Sequence, residues 1–220
     1  MKFSLFTPFV LAALTVMSSA AEKSSPLRVA LVFDDGPVPA QTEKMLALLA
    51  QEKVHVSFSY KGESVDAYPG LALAALKAGH EIQNHSYTHP HLKTLDDAAI
   101  LQEVTKTSAA IERATGKPPA WFWAPFLEYD DRVAAQVRKA GLTHFPYTQY
   151  HFISSDDWNV QATNAEAIRK NATTDIRDKT VILFHEWRPE TLAELPAIFA
   201  ELRRQGCVFL TFSELAQVKP

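Results

Sequence analysis

Segments with the character of β-strands alternate with segments of helical periodicity along nearly the whole sequence. The strand candidates are short and apolar, and they occupy residues 29–33, 54–60, 80–84, 120–126, 142–147, 180–184 and 208–212. Strands that alternate with helices form βαβ units with parallel pairing. The order therefore predicts an α/β fold, specifically a single-domain distorted (β/α) barrel of about seven strands. A doubly wound open sheet is the alternative.

The composition is that of a globular protein and excludes some classes of partner. The chain has 220 residues, of which 47% are hydrophobic and 21% are charged, and its formal net charge is -3. Because no Lys/Arg-rich run occurs, nucleic acid is not expected as a partner. The single cysteine, Cys207, rules out an intramolecular disulfide, so the core alone must stabilise the fold.

The N-terminus has the pattern of a signal peptide. Met1-Lys2 carries a positive charge, Phe3 to Met17 is mostly apolar, and small residues follow up to Ala21. This predicts a signal peptide at 1–21 and one domain at 22–220 that is exported, to the periplasm or the medium. Polar residues interrupt the apolar run, so no membrane span is expected after cleavage. An uncleaved membrane anchor is the alternative.

The first strand ends on two adjacent carboxylates, in the sequence R-V-A-L-V-F-D-D-G-P at residues 28–37. Neighbouring residues of a strand point to opposite sides, so Asp34 and Asp35 can take different roles. One could hold a cation while the other faces a water molecule or a substrate. An ordinary D-G turn is the alternative.

Two histidines follow the third strand candidate in the pattern H-x-x-x-H. His85 and His89 could converge on one cation, and a carboxylate from elsewhere would complete three protein ligands. Such a set leaves a position open for water, as catalytic metal sites do. The alternative is that both imidazoles only form hydrogen bonds in a loop.

Other polar and aromatic groups also occur where strand candidates end. They are Trp123 to Phe126, residues 154–158, and His185 with Glu186. Functional groups collect at the carboxyl ends of parallel strands. The sequence therefore predicts one site that is assembled from several strand ends.

These residues resemble a known family. F-D-D-G-P at 33–37 and H-S-x-x-H at 85–89 are similar to the first two motifs of the polysaccharide deacetylases, the NodB-homology domain of carbohydrate esterase family 4. V-S-F-S-Y-K-G at 56–62 and A-G-H-E-I-Q-N-H at 78–85 extend the likeness, which covers essentially the whole mature chain. The resemblance implies a hydrolase that acts on acetylated glycans.

The resemblance also implies a role for individual residues. Asp35, His85 and His89 would bind a divalent metal, usually Zn2+, although the same ligands accept Co2+, Mn2+ or Fe2+. Asp34 would be the general base and His185 the general acid.

The remaining motifs supply the surroundings of these groups. Asp157 would orient His185, Trp158 and Leu183 would form the acetyl pocket, and the backbone N–H of Phe126 would help to hold the oxyanion.

The chain departs from the family pattern beside the base. Trp123 stands where the family has an arginine, and Ser154 stands where its fourth motif begins with aspartate. Loss of the arginine removes a charge that would keep Asp34 ionised. Arg188, close to His185 in sequence, is a candidate substitute.

The expected activity is metal-dependent removal of N-acetyl groups from an N-acetylhexosamine glycan such as chitin or peptidoglycan. One alternative is an O-acetyl esterase that acts on xylan. Another, suggested by Trp123, is a catalytically impaired, metal-bearing carbohydrate-binding protein.

Overall fold

The computed structural model describes residues 25–156 and 164–218. The predicted signal peptide, Asp157 and Trp158 lie outside the described residues. No helix within the described ranges is long and apolar enough to cross a membrane.

The strands form one parallel sheet. They are β1 (Leu27–Gly36), β2 (Ser57–Tyr60), β3 (Glu81–Asn84), β4 (Trp121–Phe122), β5 (Thr143–His144), β6 (His151–Ser154), β7 (Thr180–His185) and β8 (Cys207–Leu210). Their order is β5-β4-β3-β2-β1-β7-β6, and β8 pairs with the first residues of β1. Across the part of the chain that is described, no ladder joins β5 to β6, so the sheet curls without closing. The predicted distorted (β/α) barrel is confirmed.

Helices connect the strands along the chain. They are α1 (Gln41–Glu52), α2 (Gly62–Ala67), α3 (Pro69–Lys77), α4 (Asp97–Thr115), α5 (Asp131–Lys139), α6 (Ala165–Thr173), α7 (Pro189–Arg204) and α8 (Phe212–Gln217). The sequence at 64–78 predicts one helix capped by Ser64, and this is wrong. Pro69 begins a second helix, because a proline disfavours helical backbone at the preceding Tyr68.

Strand β1 is the centre of the core. Residues 29–33 are fully buried; Val29, Leu31 and Phe33 pack on one face of the sheet and Ala30 and Val32 on the other. Burial on both faces explains the unbroken apolar run. The same packing holds the end of β1 in place against its neighbours, with Asp34 in register with His185 at the end of β7.

Candidate active site

A cavity of about 290 Å³ opens at the carboxyl ends of the central strands. Its lining combines the acidic, imidazole and aromatic groups that the sequence singles out with three small or aliphatic side chains: Asp34, Asp35, His85, His89, Trp123, Ala124, Phe126, Leu127, Leu183 and His185. The structure therefore brings together the predicted site residues that it describes. The carboxyl ends of parallel strands are where an active site is expected.

Asp34 and Asp35 both face this cavity, so the expectation that they point to opposite sides is wrong. The ladder between β1 and β2 shifts register between Asp34 and Gly36, and Asp35 adopts a positive φ of 72°. A bulge of this kind re-aims a side chain at the end of a strand. Both carboxylates thereby reach His85, whose Nε2 lies 3.6 Å from Oδ2 of Asp34 and 3.7 Å from Oδ1 of Asp35.

Asp35, His85 and His89 form a candidate metal centre. One potential ligand atom from each lies within 4.8 Å of the others. His89 Nε2 is 3.4 Å from Oδ1 of Asp35, which is longer than a good hydrogen bond. The three groups converge without satisfying one another.

The protonation of the two imidazoles suits metal binding. Nδ1 of His85 donates a hydrogen bond to the backbone carbonyl of Trp123 at 2.7 Å, which leaves Nε2 as the free lone pair. Burial lowers the pKa of His85 to about 3, and burial also lowers the pKa of His89. One carboxylate and two neutral imidazoles fit a divalent metal.

Asp34 lies beside this cluster and is buried. Its Oδ2 accepts a hydrogen bond from Nε1 of Trp123 at 2.7 Å, whereas its Oδ1 is buried without a partner among the described residues. Burial raises the pKa of Asp34 well above its ordinary value, although His185 acts in the opposite direction. The free oxygen is suited to accept a proton from a molecule in the cavity.

His185 lines the same cavity, next to Asp34 on the neighbouring strand, and is held by a buried aspartate. Its Nδ1 lies 2.8 Å from Oδ1 of Asp156, and its backbone N–H donates to Oδ2 of Asp156 at 3.0 Å. Thr191 Oγ1 donates a further hydrogen bond to that carboxylate. Burial opposes protonation of His185, but the hydrogen bond and charge of Asp156, together with the charges of Asp34 and Asp35, outweigh it and raise the pKa of His185 to about 9. A raised pKa favours the protonated imidazole, which can donate a proton.

The contact that the motif assigned to Asp157 is made by Asp156 in the structure. Asp157 itself is outside the described residues. Two aspartates in succession carry the same chemistry in the sequence, and only the course of the chain after β6 decides which one meets His185.

Phe126 and Leu183 line the cavity as the resemblance implies. Leu183 is buried on β7, and Phe126 is 52% exposed with its ring stacked on His91 at 3.9 Å between centroids. Phe126 and Leu127 both adopt positive φ. The roles of Phe126 in oxyanion binding and of Leu183 in the acetyl pocket stay predictions.

The arginine of the family pattern is replaced by Trp123 itself, which donates directly to Asp34. The groups that most affect the pKa of Asp34 are His185, Asp35, Trp123 and Ser59. Arg188, the expected substitute, instead places its guanidinium 4.8 Å from the ring centroid of Trp187. Trp123 thus donates a hydrogen bond to Asp34 from the position of the family's arginine, but it has no positive charge.

Two residues with no assigned role in the sequence-based site also contact it. Trp187 Nε1 donates to Oδ2 of Asp35 at 3.0 Å. Glu186 is fully buried and accepts hydrogen bonds from Thr42 Oγ1 and the backbone N–H of Val38. Burial raises the pKa of Glu186 to about 7. In the sequence, the position of Glu186 and Trp187 directly after His185 was what could have indicated that they lie beside the site.

A proton acceptor and a proton donor that share a cavity with three convergent metal-ligand atoms are the parts used by metal-assisted hydrolases. The strand-end location and the parallel barrel agree with that class of enzyme.

The model of the polysaccharide deacetylase family matches residues 21–145, and the chain belongs to this family. It is 31% identical over 188 residues to the peptidoglycan-N-acetylglucosamine deacetylase PgdA of Listeria monocytogenes, a match that covers 86% of this chain and 38% of that protein. The chain therefore spans well under half the length of that relative.

Solved structures of the family superimpose on most of the chain. A family 4 carbohydrate esterase from Streptomyces lividans, in complex with acetate, has a TM-score of 0.74 and 32% identity, covering 83% of this chain and 91% of that one. The peptidoglycan deacetylase PdaC from Bacillus subtilis has a TM-score of 0.78 and 28% identity, covering 87% and 91%. Both the sequence match and the fold thus place the chain in the polysaccharide deacetylase family.

Proposed function

We propose that the protein is a metal-dependent hydrolase that removes N-acetyl groups from an N-acetylhexosamine glycan, such as peptidoglycan or chitin. The observation that carries the proposal is that two complementary groups at neighbouring strand ends line the same cavity. Among the described residues, a buried oxygen of Asp34 has no hydrogen-bond partner, and His185 has a raised pKa. An acceptor and a donor placed in this way match the two proton transfers of amide hydrolysis.

Asp35, His85 and His89 would hold the metal ion. Zn2+ is the first candidate, and Co2+, Mn2+ and Fe2+ suit the same donor set. A bound divalent ion supplies positive charge that lowers the pKa of water and polarises an acyl oxygen.

The side chains of this protein move the protons. Asp34 accepts a proton from the attacking water at Oδ1, while Trp123 holds Oδ2. His185, held by Asp156, donates a proton to the departing amine of the sugar. Phe126 has a left-handed backbone conformation, and its backbone N–H would stabilise the oxyanion. Acetate and a free amino sugar are the products.

Removal of O-acetyl groups, as from acetylated xylan, is the second candidate, because one solved relative is named a carbohydrate esterase. An alcohol is a better leaving group than an amine and depends less on protonation by His185. Amide and ester substrates therefore separate the two activities.

We also propose that the protein is exported, which would suit this substrate class. The signal peptide proposed at 1–21 would deliver the domain to the periplasm or the medium, where an acetylated structural glycan is accessible. N-terminal sequencing of the mature protein from an expressing bacterium tests this and should begin at residue 21 or 22. A mature protein that starts at Met1 would contradict it.

The decisive experiment measures acetate release after metal reconstitution. The chelator-treated protein is loaded with Zn2+, Co2+, Mn2+ or Fe2+ and incubated with chitin oligosaccharides, peptidoglycan and acetylated xylan. We expect metal-dependent acetate release from at least one N-acetylated glycan. Release from xylan alone would establish the esterase instead, and metal binding without release from any substrate would establish the catalytically impaired alternative.

A further inference from the structure

Trp187 contacts the candidate metal centre from outside the ligand set. It lies in the short turn between β7 and α7, and its Nε1 donates to Oδ2 of Asp35 at 3.0 Å. The indole is half-buried, so the hydrogen bond is partly shielded from water. An indole N–H can only donate, and it therefore cannot itself compete for a cation.

The two oxygens of Asp35 face different partners. Oδ1 is the oxygen near His85 Nε2 and His89 Nε2, at 3.7 Å and 3.4 Å. Oδ2 is the oxygen that receives the indole N–H. Oδ1 of Asp35 thus faces the two imidazoles, while Oδ2 is hydrogen-bonded to Trp187.

The turn that carries Trp187 is fixed to the strand that carries Asp35. The backbone N–H of Glu186 donates to the carbonyl of Asp34 at 2.9 Å, and the backbone N–H of Arg188 donates to the carbonyl of His185 at 3.3 Å. The guanidinium of Arg188 also lies over the Trp187 ring. The indole is therefore held in place before any ion binds.

We propose that Trp187 is a positioning residue for the metal centre: its N–H holds Asp35 so that Oδ1 alone is presented to the ion. The inference rests on the metal site of the proposed function, but not on its substrate or its reaction. Partners that orient metal-binding carboxylates typically change metal affinity by 10- to 100-fold when they are removed. Asp35 also occupies a left-handed backbone conformation, and such conformations persist where surrounding contacts hold the residue.

The test compares metal affinity in matched tryptophan variants. Trp187→Phe keeps an aromatic ring and deletes the N–H. Trp121→Phe is the control, because Trp121 Nε1 donates to Ser213 Oγ at 2.9 Å and so loses an equivalent bond away from the ligands. Zn2+ affinity of the metal-free proteins is measured by competition with a chelating dye, and Co2+ absorption reports the coordination of the ion.

We expect Trp187→Phe to bind Zn2+ about 10-fold more weakly, with an altered Co2+ spectrum, and Trp121→Phe to stay within about twofold of the unaltered protein. Trp187→Gln restores a side-chain donor and should recover part of the lost affinity. It also provides a second readout if Trp187→Phe does not fold.

Equal affinity in Trp187→Phe and the unaltered protein would overturn the inference, and so would equal weakening in the Phe and Gln variants. Absence of any Zn2+ binding by the unaltered protein would overturn it together with the metal-dependent function. If the unaltered protein binds Zn2+ but releases no acetate, only the proposed activity fails, and the affinity ratios still decide the role of Trp187.

Discussion

The indole Nε1 of Trp123 lies 2.7 Å from Oδ2 of Asp34, and the backbone carbonyl of the same tryptophan accepts the hydrogen bond of His85 Nδ1. Trp123 therefore positions both the candidate base and a candidate metal ligand. Replacement of the family's arginine retains a donor to the base but removes a positive charge. A fully buried carboxylate with a neutral partner keeps a raised pKa.

Trp123→Phe should lower turnover strongly while metal binding persists. The substitution deletes the hydrogen bond to Asp34 but leaves the backbone carbonyl that orients His85. A hydrogen bond to a charged group contributes about 1.5–3 kcal/mol, so we expect kcat for acetate release to fall by about 10- to 100-fold. Unchanged kcat in a folded variant would show that the indole does not support the base.

Metal binding and proton transfer should separate by mutation. His89→Ala removes a ligand and should abolish both Zn2+ binding and activity. Asp34→Asn should retain Zn2+ within a few-fold but lose about 10²- to 10⁴-fold in turnover, the usual contribution of a general base. His91→Ala is the neighbouring control, because His91 pairs with Glu128 and lies outside the ligand cluster. Loss of Zn2+ from the His91 variant would contradict the assigned ligand set.

Asp156→Asn should lower the pKa of His185. In the unaltered protein this pKa is raised to about 9, above its ordinary value of 6.5, because the hydrogen bond and charge of Asp156, with smaller contributions from Asp34 and Asp35, outweigh burial. The stabilisation from this contact is fully present below pH 6.5 and is lost as the pH rises through about 9.

In Asp156→Asn we expect the pKa of His185 in the metal-free protein to fall clearly below 9 in an NMR titration, because burial remains and only Asp34 and Asp35 still favour protonation. The alkaline limb of the activity profile should move to lower pH as well. Asp178→Asn, which precedes the opposite end of β7, should leave the titration unchanged. If the pKa of His185 stays near 9 in the Asp156 variant, Asp156 is not the main cause of the raised pKa.

Glu186 should make the stability of the metal-free protein depend on pH. Burial raises the pKa of Glu186 from 4.5 to about 7, so the folded chain retains a proton that the unfolded chain has released between these values. Stability therefore falls as the pH rises through this window.

A glutamine side chain cannot ionise, so the stability of Glu186→Gln should not show this fall between pH 4.5 and 7. Between pH 4.5 and 7, the unfolding free energy of the unaltered protein should fall relative to the variant by up to about 3 kcal/mol, measured by denaturant titration. Parallel pH profiles for the two proteins would mean that Glu186 ionises normally in the fold.

Gly36 should not tolerate a side chain. A Cβ at this position would lie 2.0 Å from Oε2 of Glu186 and 2.6 Å from Cε1 of Tyr60, and both residues are fully buried. We expect Gly36→Ala to lower the unfolding free energy by about 1–3 kcal/mol, as overpacked cores do. Gly70→Ala is the matched control, since a Cβ there meets nothing within 4 Å. Similar unfolding midpoints for the two variants would contradict the close packing around Gly36.

Much of the fold and most of the candidate ligands could be predicted from the sequence, because both depend on local pattern. The apolar run of β1 predicts burial on both faces, and its carboxyl end locates the two aspartates. His85 and His89 carry a recognisable spacing. The break between α2 and α3 shows where prediction from periodicity fails. The apolar periodicity of residues 64–78 predicts one helix, but Pro69 disfavours helical backbone at the residue before it and so divides the segment.

The sequence by itself determined the parallel α/β fold and the strand ends on which the functional groups lie. The tertiary structure decided which of these groups contact one another. The bulge at Asp35 directs both carboxylates into one cavity, and Asp156 is hydrogen-bonded to His185. The indoles of Trp123 and Trp187 each donate a hydrogen bond to one aspartate. Periodicity encodes burial, which is a property of single segments. The two indole–aspartate hydrogen bonds join residues that are 89 and 152 positions apart in the sequence. Such bonds depend on how distant segments pack, and a local sequence pattern contains no information about that packing.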